Sequence, residues 1–225
     1  MTAEEYFGDW MKIIDRTELI KIMRWLKTID SAKLCPSPKN VFKAFRICPY
    51  KNLHTILIGM DPYPQEGIAT GILFGNSNDT PDDQISPSLK VIKECVINYE
   101  LPHGHIEFDN SLESWAKQGV LMLNSALTCE VGKVGWHTNI WRPFMQKLVK
   151  NISDSDQCLT FVLFGRQAQE LKPNINEQVH NIIEIEHPAY FTRRGEKMPY
   201  TVFTEINKYL KKYRDTEIKY YNEYD

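Results

Sequence analysis

The chain has 225 residues, 42% of them hydrophobic and 25% charged, and a net charge of −2. That suffices for one well-packed domain of ordinary globular composition, and no apolar run reaches the length of a membrane span. The near-neutral balance argues against a broad electrostatic surface for nucleic acid and leaves room for a local basic face.

In chain order, the acidic, amphipathic start MTAEEYFGDWMKIID reads as neither a signal nor a transit peptide. Apolar residues at helical spacing (Trp10, Ile13, Ile14, Ile20, Ile22, Met23, Leu26) predict a helix over 9–28, within a helical N-terminal part spanning 1–40. HTILIG (54–59) is a short buried strand. A polar, Pro-rich loop follows at 75–88, long enough to be functional. SPSLKVIKECVINY (86–99) opens on Ser and Pro, a good helix start. SLESWAKQ (111–118) predicts a helix with Glu113 in its first turn, and GVLMLN (119–124) a second strand. NIWRPFMQKLVKNI (139–152) is an amphipathic helix, LTFVLFG (159–165) and NIIEIE (181–186) are strands, and YTVFTEINKYLKKY (200–213) is a further helix. The charged, tyrosine-rich tail, 214–225, reads as ordered at most in part. Strands alternating with helices imply crossovers. The expected fold is α/β: one domain over 1–225 with a central four-stranded, mostly parallel sheet flanked by helices on both faces.

Five cysteines (35, 48, 95, 129, 158) are scattered without a CxxC pair, so neither a zinc site nor a disulfide framework is indicated; the expectation is a reduced, cytoplasmic protein with buried thiols, without metal or cofactor. Basic runs at 191–197 and 208–214 read as solvated surface.

In open α/β sheets ligands bind beyond the carboxyl ends of the strands. Here those ends deliver Asp61, Asn124, Gly165 and His187. Taken singly, Asp before Pro is a common turn residue, Asn caps loops, and His beside Pro is a structural hydrogen bonder. A carboxylate, an amide and an imidazole converging on one sheet edge point to a site. Tyr63 and Phe74 lie in adjoining loops, where they either belong to the core or form a slot for a flat heterocycle read by the amide of Asn124.

Five segments carry a recognisable pattern: GMDPYP (59–64), ISPSL (85–89), LESWAKQGVLMLNSALT (112–128), FVLFGRQAQ (161–169) and HPAYFTRRG (187–195). In this order, and collinear from about Val41 to about Gly195, they resemble the family 1 uracil-DNA glycosylases. The resemblance implies an enzyme that flips deoxyuridine out of DNA and hydrolyses its N-glycosidic bond. Asp61 would orient the attacking water and His187 would donate a hydrogen bond to uracil O2. Asn124 would read the base, Phe74 would stack on it, Tyr63 would stand against C5, and the backbone near Met60 would add donors. Ser86, Pro87 and Ser88 match the loop that presses on a DNA phosphate, and Ala189, Tyr190, Phe191, Arg193 and Arg194 the histidine loop that enters the minor groove.

The resemblance also implies action on single- or double-stranded uracil-containing DNA, proteinaceous DNA-mimic inhibitors as partners, no membrane association and a monomer. The sequence departs from the family at Met60 (usually Gln), Pro64 (usually His) and Thr70 (another His). The GxDPYP variant resembles poxviral members that also serve as polymerase processivity subunits. The histidine loop is one residue shorter than usual, and either Tyr190 or Phe191 stands where the family has a wedging leucine. Two other readings compete: a non-catalytic DNA-binding or replication-accessory protein on the same scaffold, or a glycosylase for another pyrimidine.

Overall fold

The computed structural model describes residues 2–97, 104–155 and 158–224. Four strands make the central sheet: β1 (Thr55–Gly59), β2 (Val120–Asn124), β3 (Thr160–Phe164) and β4 (Asn181–Ile185). They pair in the order β2-β1-β3-β4, and every pairing is parallel. All residues of β1, β2 and β3 are buried, which requires cover on both faces. β4 is an edge strand in which only Ile183 is fully buried. The sheet expectation holds, and it is parallel throughout.

Helices Pro87–Ile97, Thr138–Ser153 and Thr201–Arg214 form near their expected ranges and bury residues in the same core as the strands, although the expected extension of the first to 98–99 lies outside the described residues. Thr138–Ser153 shows why such segments fold as they do. Trp141, Phe144, Met145, Leu148, Val149 and Ile152 form one buried stripe at three- and four-residue spacing.

Two expectations differ. The helix over 9–28 is a 3-10 turn, Gly8–Lys12, and a separate α-helix, Arg16–Leu26. Asp15 causes the break: its extended backbone and its carboxylate, which accepts from Glu18 N at 2.9 Å, start a new helix. The preceding turn is held by long-range bonds, with Trp10 Nε1 donating to Cys48 O at 2.7 Å and Asp9 accepting from the amides of Tyr50 and Lys51. The charged tail, as far as residue 224, is docked. Ile218 and Tyr220 are buried, Trp115 Nε1 donates to Tyr220 O at 2.9 Å, and Asn222–Tyr224 pairs antiparallel with His105–Glu107. A second small pairing joins Leu34–Cys35 to Cys129–Glu130.

Candidate active site

The register of the sheet aligns the strand ends. Gly59 pairs with Asn124, Ile58 with Leu163, and Phe164 with Ile185. The ladder between β1 and β2 continues past both strands, because Ser125 N donates to Gly59 O at 2.9 Å and Ala126 N to Met60 O at 3.0 Å. Asp61 therefore emerges beside Asn124, and His187 two residues beyond β4. A Cβ at Gly59 would overlap the Leu73 side-chain end and lie 3.1 Å from Asn124 Oδ1, so glycine lets the amide sit close to β1 without displacing either neighbour.

A cavity of about 280 Å³ opens at this edge, lined by Met60, Asp61, Tyr63, Phe74, Ser88, Asn124, His187 and Ala189 among others. The expected catalytic pair and all four expected base-contacting residues thus meet in one space. Of the remaining expected contacts, Pro87 is exposed while Ser86 is buried, bonded through its amide and hydroxyl to Asn76. Arg193 and Arg194 are exposed. Phe191 is buried in the core, so of the two aromatic wedge candidates only the half-buried Tyr190 presents a ring to solvent, beneath the Arg194 guanidinium at 5.4 Å.

Two buried oxygens in the cavity lack a partner within the protein: Asp61 Oδ1 and Asn124 Oδ1. Leaving such an atom unpaired costs about 1–3 kcal/mol, which a ligand hydrogen bond would recover. The other Asp61 oxygen accepts the amide of Gly135. Burial raises the Asp61 carboxyl to about 6, and the Gly135 bond opposes that rise. Gly135 belongs to a segment that grips the Asp61 loop repeatedly, with Cys129 Sγ donating to Pro62 O at 3.5 Å and Gly132 N to Pro64 O at 2.9 Å. Sequence reading missed Gly135. The signal was the glycine pair 132 and 135, both at positive φ (72 and 80).

His187 caps helix Pro188–Arg194, its Nδ1 accepting from Ala189 N at 3.2 Å. A ring nitrogen that accepts carries no proton, so the neutral imidazole has its hydrogen on Nε2. Burial, reinforced by the charge of Arg193, depresses its pKa to about 4 and keeps it neutral at physiological pH. Phe74 packs edge-on against Phe164 (5.1 Å) and His187 (5.5 Å) at a left-handed backbone angle, φ 63. That conformation costs a non-glycine residue about 1–3 kcal/mol, and Tyr63 holds it by donating its hydroxyl to Phe74 O at 3.0 Å. Burial also raises the Tyr63 phenol, which therefore stays a neutral donor.

The model of the uracil DNA glycosylase superfamily matches residues 45–211. The chain belongs to that superfamily. A uracil-DNA glycosylase from Mycoplasmopsis pulmonis is 35% identical over 187 residues, 82% of this chain and 81% of its own. Another from Bacillus pumilus is 31% identical over 203 residues, 89% and 87% of the two chains. The crystal structure of mimivirus uracil-DNA glycosylase superposes with a TM-score of 0.74 at 21% identity, covering 97% of this chain and 91% of its own. A variant of the mimivirus protein, solved in complex with UGI, matches equally well at 22% identity, covering 95% and 91%. The fold of the superfamily is thus the frame that carries Asp61, Asn124 and His187 to one edge.

Proposed function

We propose that the protein is a monofunctional uracil-DNA glycosylase that flips deoxyuridine out of DNA, cleaves the bond between C1′ and N1, releases uracil and leaves an abasic site. The observation that carries this reading is the pair of unpartnered oxygens, on Asp61 and Asn124, facing one cavity that also holds the His187 imidazole.

Each group then has a task. The free oxygen of ionised Asp61 accepts from a water and aims it at C1′, and the carboxylate charge stabilises the oxocarbenium character of the breaking sugar. His187 donates its Nε2 hydrogen to uracil O2, where negative charge develops as N1 departs. A neutral donor there helps the transition state more than the ground state. Asn124 accepts from uracil N3–H through Oδ1 and donates to O4 through its amide. Cytosine presents the opposite pattern and would leave buried groups unpaired. Phe74 stacks on the ring, and Tyr63 occupies the space a thymine methyl would need.

The loop of Ser86, Pro87 and Ser88, the residues Ala189 and Tyr190 and the exposed Arg193 and Arg194 support a DNA face around the cavity, with Tyr190 rather than Phe191 as the wedge. The same face would take a proteinaceous DNA mimic. We infer a monomer acting in the cytoplasm, wherever DNA is. The test is incubation with uracil-containing and thymine-only oligonucleotides, followed by alkaline cleavage. Strand scission confined to uracil positions is expected; intact uracil strands would refute the reading.

A further inference from the structure

Of the ten large apolar side chains exposed among the described residues, four lie between 131 and 140: Val131, Val134, Trp136 and Ile140. That concentration is not scattered surface hydrophobicity. Trp136 dominates it at 67% exposure, whereas Trp10, Trp115 and Trp141 are buried. One face of the indole is taken: the Lys133 ammonium lies 4.2 Å from the ring centre and is anchored by Glu130 at 2.8 Å. Such a cation fixes the ring and leaves its other face free.

The position matters as much as the exposure. Val134 lines the cavity, Gly135 bonds the Asp61 carboxylate, and Trp136 is the next residue. His187 and Ala189 also line the cavity, and the next residue, Tyr190, is backed by the Arg194 guanidinium at 5.4 Å. A cation-backed aromatic ring therefore follows closely on each of two cavity-lining segments.

We propose that Trp136 is a stacking platform for an unpaired base neighbouring the flipped deoxyuridine in the same strand, and that it directs the enzyme towards single-stranded DNA. This rests on the glycosylase reading, which puts the sugar of the flipped nucleotide beside Asp61 and hence its neighbour beside Trp136. Every base has a π-face, so such a platform is indifferent to sequence. In a duplex the neighbouring base is already stacked and paired, and the platform gains little. A second copy of the chain is the poorer occupant, because a stable interface needs about 800 Å² per partner, more than four side chains supply.

The experiment is titration of a uracil-free single-stranded oligonucleotide, followed by intrinsic tryptophan emission and by anisotropy. It is paired with steady-state kinetics on single-stranded and duplex uracil substrates, for the wild type, Trp136→Ala and Trp136→Phe. DNA should quench the red-edge emission of the wild type but not of Trp136→Phe. Trp136→Ala should weaken single-strand binding about 5- to 150-fold, raise KM on the single strand more than it lowers kcat, and change the duplex KM less. Trp136→Phe should recover most of the affinity. Unchanged binding and KM in Trp136→Ala would overturn the proposal, as would an equal loss on both substrates. So would altered sedimentation of the DNA-free variant with unchanged DNA affinity, which would assign the patch to self-association. A wild type that releases no uracil would instead sink the glycosylase reading, and the quenching by uracil-free DNA is read independently of it.

Discussion

Gly135 gives its amide hydrogen to one oxygen of the Asp61 carboxylate, and the other oxygen is buried without a partner. The carboxylate is thus oriented but only half satisfied, and burial has lifted its pKa to about 6. Since the ionised form is the one that can hold a water, kcat/KM should rise about tenfold per pH unit below 6 and level off above about 7. His187, neutral above about 4, adds no second limb in that range. A kcat/KM profile already level at pH 5 would show that the Asp61 ionisation does not govern the rate.

Stability should carry the same two signatures with opposite signs. Asp61 holds its proton to higher pH folded than unfolded (about 6 against 3.8), so its contribution falls as pH rises through that window. His187 is depressed from 6.5 to about 4, so the unfolded chain binds a proton first and stability falls as pH drops through that window. Relative to wild type, Asp61→Asn should gain Tm on going from pH 4.5 to 7, and His187→Gln should lose it. Parallel shifts of the two variants would contradict the assignment.

Each of those substitutions should also slow uracil release by about 10²–10³-fold or more, the usual cost of one preorganised electrostatic group, while binding of uracil-containing DNA persists. Single-turnover kinetics and filter binding separate the two effects. Full activity in both variants would end the mechanistic assignment.

Base choice should be separable from catalysis. Tyr63→Ala should release thymine, because the ring that blocks C5 is gone, although loss of its bond to Phe74 O will also lower the rate on uracil. Asn124→Asp should extend activity to cytosine, since a carboxyl group offers a different donor and acceptor pattern. Product analysis on oligonucleotides carrying one U, T or C decides both. A Tyr63→Ala protein that still ignores thymine would mean that another group guards C5.

Much of this was legible in the sequence for a definite reason. Fully buried parallel strands read as continuous apolar runs, and their ends announce what stands at the sheet edge, so Asp61, Asn124 and His187 could be found without coordinates. Gly135 could not. Its partner is 74 residues away in sequence, and a backbone amide leaves no side-chain signature. The docked tail was hidden because Ile218 and Tyr220 sit among charged neighbours and are buried by tertiary partners, Asn207 and Trp115, rather than by any periodicity of their own. The choice between Tyr190 and Phe191 needed the register of a short helix, which adjacent aromatics cannot supply.

The three polar groups sit on the ends of three different strands, and every crossover between those strands must be complete before they meet. Such non-local topology folds slowly. Fragments or partly folded chains would therefore hold no fraction of the excision rate. Turnover per molecule would stay constant while the number of competent molecules fell, so residual activity along a denaturant curve would double as a direct count of native protein.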